Sequence, residues 1–159
     1  MSELKNESGG ITIEQALKRE GEIPYMTVGV SMEPMLHTRK NIVVIKKMSE
    51  PPKKYDVVLY KRGDSYILHR LVKITADGKY VFRGDNCDND EYDITDENML
   101  GMLKGYYKGE RYIDCRANKA YLLYSRVWVA THRIRTILRR IKRKIGRICK
   151  RNGNDNAAK

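Results

Sequence analysis

The hydrophobic positions of the chain follow two different periods, and the change of period divides the sequence. Between residues 25 and 114, short runs of β-branched and aromatic residues are separated by glycine, proline and acidic residues. Runs of this kind predict β-strands. From Ala120 to Arg151 the apolar residues instead recur every three or four positions, which is typical of an amphipathic helix. The pattern predicts a mainly β body followed by a long helix.

Seven strands are predicted in the body, because each apolar run ends at turn-forming residues. Asp77-Gly78 is a two-residue hairpin turn, and residues 56–74 read as a second hairpin. The acidic stretch 84–98 is predicted to be a loop. The predicted strands are 25–30, 41–46, 56–61, 66–74, 79–83, 99–107 and 111–114.

The termini complete the predicted organisation. Thr12 followed by Gln15 matches a capping box and Gly21 matches a helix stop, so a short helix precedes the first strand. Polar composition at both ends favours disorder there. We expect a disordered N-terminus, a catalytic β domain, a basic amphipathic helix and a disordered tail, at 1–10, 11–115, 119–151 and 152–159.

The charge of the chain is concentrated in the predicted C-terminal helix. The formal net charge is +12, and 13 of the 32 Lys and Arg residues lie in residues 115–154, which contain no Asp or Glu. The remainder holds 19 basic and 20 acidic residues and is close to neutral. Hydrophobic residues make up 41% and mean hydropathy is −0.64. We expect a soluble body, with no transmembrane helix and no signal peptide.

Three interpretations of this helix remain open. Its apolar stripe and cations suit an anionic membrane surface, the stripe could pack on the body or on a partner, and the cations alone would suit nucleic acid. Tyr124 and Trp128 at its apolar start favour the membrane. We therefore expect peripheral membrane association at the cytoplasmic face, and we do not expect nucleic acid as a partner.

Two residues could together carry nucleophilic chemistry. Ser31 follows a strand-like run in a turn of small residues, and His69 lies in a later predicted strand. A serine hydroxyl needs a base within hydrogen-bond reach, and neutral imidazole has a suitable pKa. Each residue alone is usually structural, so the pairing is a hypothesis that depends on the fold.

At three blocks the sequence resembles the signal peptidase I family. These are Ser31-Met32-Glu33-Pro34, His69-Arg70 and Gly84-Asp85-Asn86, in the order of the family. The histidine resembles the endoplasmic-reticulum-type members. The resemblance implies a twisted, partly closed antiparallel sheet and a serine endopeptidase that cleaves signal or leader peptides of precursor proteins. It implies an extended substrate with small residues before the scissile bond, and no cofactor.

The resemblance also implies roles for individual residues. Ser31 would be the nucleophile and His69 the base. Asp85 is the first candidate for the acid that orients His69. The additional aspartate of the His-type relatives falls at Glu91, directly after Asp90. We favour Asp90 as the partner of His69, with Asp85 in support.

The sequence departs from the family at two places. Relatives often have a serine two residues before the nucleophile, where it helps to bind the oxyanion, and here that position is Gly29. Met32 and Gly29 are predicted to lie beside the substrate, with the Ser31 backbone N–H as oxyanion donor. Most members carry an apolar anchor before the nucleophile, and here residues 12–20 read as a short soluble helix.

Two rival functions share these features. A self-cleaving peptidase of the LexA-like kind has a related fold, but it uses a lysine base and carries a DNA-binding domain, for which the 24 residues before Tyr25 are too few. A non-catalytic adaptor on a peptidase scaffold is the second rival. No metal is expected, because the acids after Gly84 lack the EF-hand spacing and the three cysteines lack metal-ligand spacing.

Overall fold

The computed structural model describes the backbone of residues 3–4 and 11–155, and the side chains of residues 11–145. This part of the chain forms one antiparallel sheet and three helices. The helices are α1 Ile13–Glu20, α2 Lys119–Ala130 and α3 His132–Asp155, with a 3-10 turn at Asp96–Asn98. The strands are β1 Glu3–Leu4, β2 Glu22–Met26, β3 Ile42–Lys47, β4 Val57–Arg62, β5 Ser65–Ile74, β6 Tyr80–Arg83, β7 Met99–Lys108 and β8 Arg111–Asp114.

The strands pair in the order β1-β5-β4-β7-β3-β2, with β6 added to β5 and β8 added to β7. Two long strands, β5 and β7, therefore each pair with three others. Among the described strands no pairing joins β1 to β2, so the sheet is open and not partly closed as predicted. The order of strands depends on contacts between distant segments, which the periodicity of single strands does not contain.

The sheet is covered on both faces. Alternate residues of β4 belong to two separate apolar clusters: Val57 and Leu59 pack with α1, whereas Val58 and Tyr60 pack with Phe82. This follows from the two-residue period of a strand. Adjacent residues of β5 consequently point to opposite faces, so His69 and Arg70 lie on different sides of the sheet.

The predicted strands are confirmed to within a residue or two, with one exception. The first strand was expected to reach Val30, but β2 ends at Met26. Thr27 is the first residue of the loop between β2 and β3. Its hydroxyl holds the two ends of this loop together, because it donates to the carbonyls of His37 at 2.9 Å and Asn41 at 3.1 Å. Gly29 then adopts a φ of +92°, which ends extended structure.

The N-terminal helix is confirmed as predicted. Thr12 and Gln15 form the reciprocal capping box, and Gly21 ends α1 with a φ of +76°. In the N-terminal segment expected to be disordered, Glu3–Leu4 pairs with β5, and the rest of residues 1–10 lies outside the described part. Of the expected disordered tail, residues 152–155 continue α3, and residues 156–159 are not described.

The single C-terminal helix that was predicted is two helices that meet at Thr131. The Thr131 hydroxyl donates to the carbonyl of Val127 at 2.8 Å, a back-bond that bends helices. The guanidinium of Arg135 donates to the carbonyl of Trp128. A side chain thus provides a hydrogen bond to one backbone carbonyl near the junction of the two helices. No helix in the described residues combines the length and apolar character needed to span a bilayer.

Candidate active site

Ser31 and His69 meet in the folded chain. Nε2 of His69 lies 2.9 Å from the Ser31 hydroxyl oxygen, although the residues are 38 positions apart. Ser31 lies in the loop after β2, and His69 lies in the middle of β5 opposite Val58. Both side chains are buried, with 3% and 2% of their surface exposed. The geometry is that of a hydroxyl nucleophile with its base.

The segment after β6 packs against this pair through its backbone. The N–H of Asn86 donates to the Ser31 carbonyl at 2.7 Å, and the Asn86 side chain donates to the Val30 carbonyl at 3.2 Å. A Cβ at Gly84 would lie 2.7 Å from the Ser31 carbonyl oxygen and 2.9 Å from Nε2 of His69. Gly84 is therefore required for the close approach of this segment to the Ser31–His69 pair.

The other imidazole nitrogen faces two groups that complete a network. Nδ1 of His69 lies 3.1 Å from the Tyr60 hydroxyl and 3.5 Å from a carboxylate oxygen of Glu91. The Tyr60 hydroxyl donates to Glu91. Since that hydroxyl proton goes to Glu91, Nδ1–H of His69 donates to the tyrosine oxygen. Nε2 is then the acceptor that faces Ser31, which is the tautomer a general base requires.

The pKa values of the network follow from these contacts. Burial alone would lower the pKa of His69, but hydrogen bonds to Cys87 and Glu91 and the charge of Glu91 outweigh it, so the pKa is raised above 6.5. Burial acts to raise the pKa of Glu91, but bonds from His69 and Tyr60 lower it to about 2. Burial and the Glu91 carboxylate raise the pKa of Tyr60. Glu91 is thus an anion beside the imidazole near neutral pH.

The prediction that Asp90 is the partner of His69 is wrong. Asp90 binds Arg83, at 2.6 Å, and the next residue faces the imidazole. The reason is local pairing: Glu91 and Phe82 exchange both backbone hydrogen bonds in an isolated bridge. This register turns the side chain of Glu91 toward His69 and that of Asp90 away from it.

Asp85, which the sequence suggested as a partner of His69, is instead paired with Arg70. It accepts two hydrogen bonds from Arg70, at 2.8 and 2.7 Å, and the Arg70 side chain is completely buried. Because Arg70 follows His69 on β5, the two side chains point to opposite faces of the sheet. Asp85 therefore supports the scaffold and does not contact the imidazole network.

Helix α2 packs against the ion pair of Arg70 and Asp85 and forms hydrogen bonds with both residues. Tyr124 donates its hydroxyl proton to the Asp85 carboxylate at 3.2 Å, and Trp128 donates to the Asp85 carbonyl at 2.9 Å. Arg70 in turn donates to the Ser125 hydroxyl at 2.9 Å. Helix α2 is thereby joined to the segment that touches the Ser31–His69 pair.

The two residues expected beside the substrate have other contacts. Met32 has 2% of its surface exposed and packs in the core beneath the nucleophile loop, so its side chain does not line an open surface. Gly29 is partly exposed, and its N–H donates to the Thr38 hydroxyl at 2.9 Å. The φ of +92° at Gly29 favours glycine there.

Two residues of the site were missed from the sequence. Tyr60 occupies an ordinary strand position, and only the pairing of β4 with β5 brings it next to His69. Cys87 also acts on the same imidazole, since it helps to raise the pKa of His69 against the lowering effect of burial. The signal for Cys87 was present, because it directly follows the Gly84-Asp85-Asn86 block. Tyr60 had no local signal.

Across the residues with described side chains, no three His, Cys, Asp or Glu groups come together as metal ligands. Comparisons of the chain with family models, with curated proteins and with solved structures gave no match. The function is therefore inferred from the geometry of the site.

Proposed function

We propose that this protein is a serine endopeptidase of the signal peptidase I type that cleaves signal or leader peptides. The observation that carries the proposal is the 2.9 Å contact between the Ser31 hydroxyl and Nε2 of His69. The mainly antiparallel sheet with helices at both ends is compatible with the signal-peptidase-like fold that the three blocks imply. The Glu91–Tyr60–His69 network supports the base role.

The first half of the reaction forms an acyl-enzyme. Ser31 Oγ attacks the carbonyl carbon of the scissile peptide bond while its proton passes to Nε2 of His69. The imidazolium that results is stabilised by the Glu91 carboxylate, directly and through Tyr60. When the tetrahedral intermediate collapses, the C–N bond breaks and His69 gives its proton to the leaving amine. The substrate acyl group is then esterified to Ser31.

The second half regenerates the enzyme. Water attacks the ester carbonyl and gives a proton to His69, and the imidazole then returns it to Ser31 Oγ as the product carboxylate leaves. No cofactor takes part, because every proton and electron pair is accounted for by the serine, the imidazole and water. The Ser31 backbone N–H is the candidate donor to the oxyanion.

The proposal is tested by assaying the purified full chain on a leader-type peptide with small residues before an internal bond, with fragments identified by mass spectrometry. Ser31→Ala and His69→Ala should each lower the cleavage rate by at least about 10³-fold. Ser65→Ala and His37→Ala are controls of the same residue types, at the start of β5 and at an exposed side chain beside Glu33, and they should keep the rate.

Three outcomes would contradict the proposal. Cleavage that survives Ser31→Ala would assign the activity to another group. Ser31-dependent cleavage of the chain itself, without cleavage of added peptide, would support the self-cleaving alternative. Absence of cleavage in every preparation, with the fold intact by circular dichroism, would support a non-catalytic adaptor on a peptidase scaffold.

A further inference from the structure

Helix α3 contacts the rest of the protein through a polar face. Arg139 and Arg143 each place a guanidinium nitrogen 2.9 Å from the carboxylate of Asp88. The Thr136 hydroxyl donates to the same carboxylate at 3.4 Å, and Arg139 also donates to the carbonyl of Asn86 at 3.0 Å. The spacing of these three helical residues places them on one side of α3.

The opposite side of α3 is apolar and exposed. At about 100° per residue, this stripe is centred roughly 180° from the side that contacts Asp88. Each of its side chains keeps about half of its surface exposed, which is unusual for aliphatic residues in a folded protein. The stripe consists of Ile134 at 61%, Ile137 at 56%, Leu138 at 53%, Ile141 at 48% and Ile145 at 54% exposed.

Helix α2 has exposed apolar residues on its own outward side. Leu123 is 64% exposed and Val127 is 49% exposed, and each follows a buried residue of α2 by two positions, which is about 200° of helical rotation. The side of α2 that faces the body carries Tyr121 and Ser125, both buried. Each of the two helices thus presents apolar side chains to the outside.

Cations flank the stripe on both sides. Arg133, Arg140 and Lys144 lie along one side and Lys142 lies along the other, all exposed. The segment 115–154 contains no Asp or Glu that would neutralise them. A partner that fits this surface must offer apolar groups to the stripe and anionic groups to its margins.

We propose that the α3 stripe binds an anionic lipid bilayer surface, with its aliphatic side chains at the acyl boundary and its cations at the headgroups. Nucleic acid would satisfy the cations but leaves the aliphatic stripe in water. A second copy of the chain would cover the stripe but would bring two cationic margins together. Of these three partners, the lipid surface matches both features.

The bound bilayer would lie beside the candidate active site. Leu138 and Ile141 also line a groove of about 590 Å³ whose lining includes Pro34 and Asn86. Asn86 is the residue whose N–H holds the Ser31 carbonyl. A peptide at the headgroup level would therefore reach the groove without leaving the interface. The lipid-binding proposal itself does not depend on catalysis.

Co-sedimentation of the full chain with vesicles tests the proposal. The wild type should pellet with vesicles of equal parts phosphatidylglycerol and phosphatidylcholine, and much less with phosphatidylcholine alone. Ile137→Asn/Ile141→Asn should weaken partitioning into anionic vesicles by about tenfold or more. Arg140→Glu/Lys144→Glu should weaken it similarly while the stripe remains intact. Ile74→Asn, which alters an isoleucine on β5 that is 43% exposed, is the matched control and should bind like wild type.

Any of the following outcomes would overturn the lipid-binding proposal. Failure of the wild type to pellet with anionic vesicles would do so, as would equal binding by the Ile137→Asn/Ile141→Asn variant with an unchanged circular dichroism spectrum. A dimer in solution that this variant dissociates, without vesicle binding, would assign the stripe to a second copy. Ser31→Ala should bind vesicles like wild type, so the result is separate from the peptidase assay.

Discussion

The hydroxyl of Tyr60 lies 3.1 Å from Nδ1 of His69, while the Ser31 hydroxyl lies 2.9 Å from Nε2 of the same ring. The two contacts occupy both nitrogens of a buried imidazole. Because Tyr60 donates its own proton to Glu91, the proton of the ring stays on Nδ1. The ring is thereby held in the tautomer and orientation that proton transfer from Ser31 requires.

Removing the tyrosine hydroxyl should slow turnover and leave substrate binding in place. Tyr60→Phe keeps the aromatic ring that packs 5.2 Å from Phe82. It removes the hydroxyl that bridges His69 and Glu91 and leaves only their direct 3.5 Å contact. We expect kcat to fall by about 10- to 100-fold with KM little changed, because the hydroxyl acts through the base. Steady-state kinetics on the leader-type peptide measure this. A fall confined to KM would show that Tyr60 acts on substrate binding instead.

The pH dependence of the proposed reaction follows from the raised pKa of His69. The base is active when neutral, so kcat/KM should fall as the pH is lowered, with a midpoint above 6.5. Glu91→Gln removes a carboxylate that raises this pKa, so the midpoint should move to lower pH while the maximum rate decreases. A pH profile of both proteins provides the check. An unchanged midpoint in Glu91→Gln would show that Glu91 does not act on His69.

Substitution of the two aspartates that were candidates from the sequence should lower the unfolding free energy by different amounts. Asp85→Ala leaves the completely buried Arg70 unpaired, and loss of one partner of a buried pair costs about 3–5 kcal/mol of unfolding free energy. Asp90→Ala breaks an ion pair with Arg83 in which the aspartate is 30% exposed, and should cost about 0–1 kcal/mol. Urea denaturation of the two variants compares them directly. Equal losses would contradict the separate roles of the two residues.

Two glycine substitutions should have different effects: one should lower the cleavage rate, and the other should lower stability alone. Gly84→Ala introduces a Cβ against the Ser31 carbonyl and the His69 ring, and displacement of the pair by about 1 Å should cost roughly 10²-fold in rate. Gly63→Ala meets no atom within 4 Å but keeps a φ of +59°, so it should lose about 1–2 kcal/mol of stability with activity unchanged. Activity and denaturation are measured for both. A fully active Gly84→Ala variant would refute the requirement for close approach.

Much of the fold was accessible from local pattern. The capping box at Thr12 and Gln15 and the stop at Gly21 depend on residues within one or two turns, and they are confirmed. Strand positions were also predicted well, because alternation and turn residues are local signals. The break at Thr131 was missed, since apolar spacing continues through it and the bend arises from side-chain bonds to the backbone.

Part of the candidate site was likewise indicated by the sequence, and part of it depended on the tertiary structure. The motifs indicated Ser31 and His69, and folding brings them together. The sequence favoured Asp90 as the acid, but Glu91 is the residue beside His69. The choice was wrong because a shift of one residue reverses the direction of a side chain. The bridge of Glu91 to Phe82 sets that register. The contribution of Tyr60 depended on the pairing of β4 with β5.

By itself the sequence determined most strand and helix positions, the candidate residues Ser31 and His69, and where the charge lies, because these properties depend on residue identity and neighbours along the chain. Only the tertiary structure decided that Glu91 and Tyr60 face His69, that Asp85 binds Arg70, and that α3 turns its apolar side outward. Those outcomes depend on strand register and on contacts between segments far apart in the chain, where a shift of one position exchanges the two faces of an element.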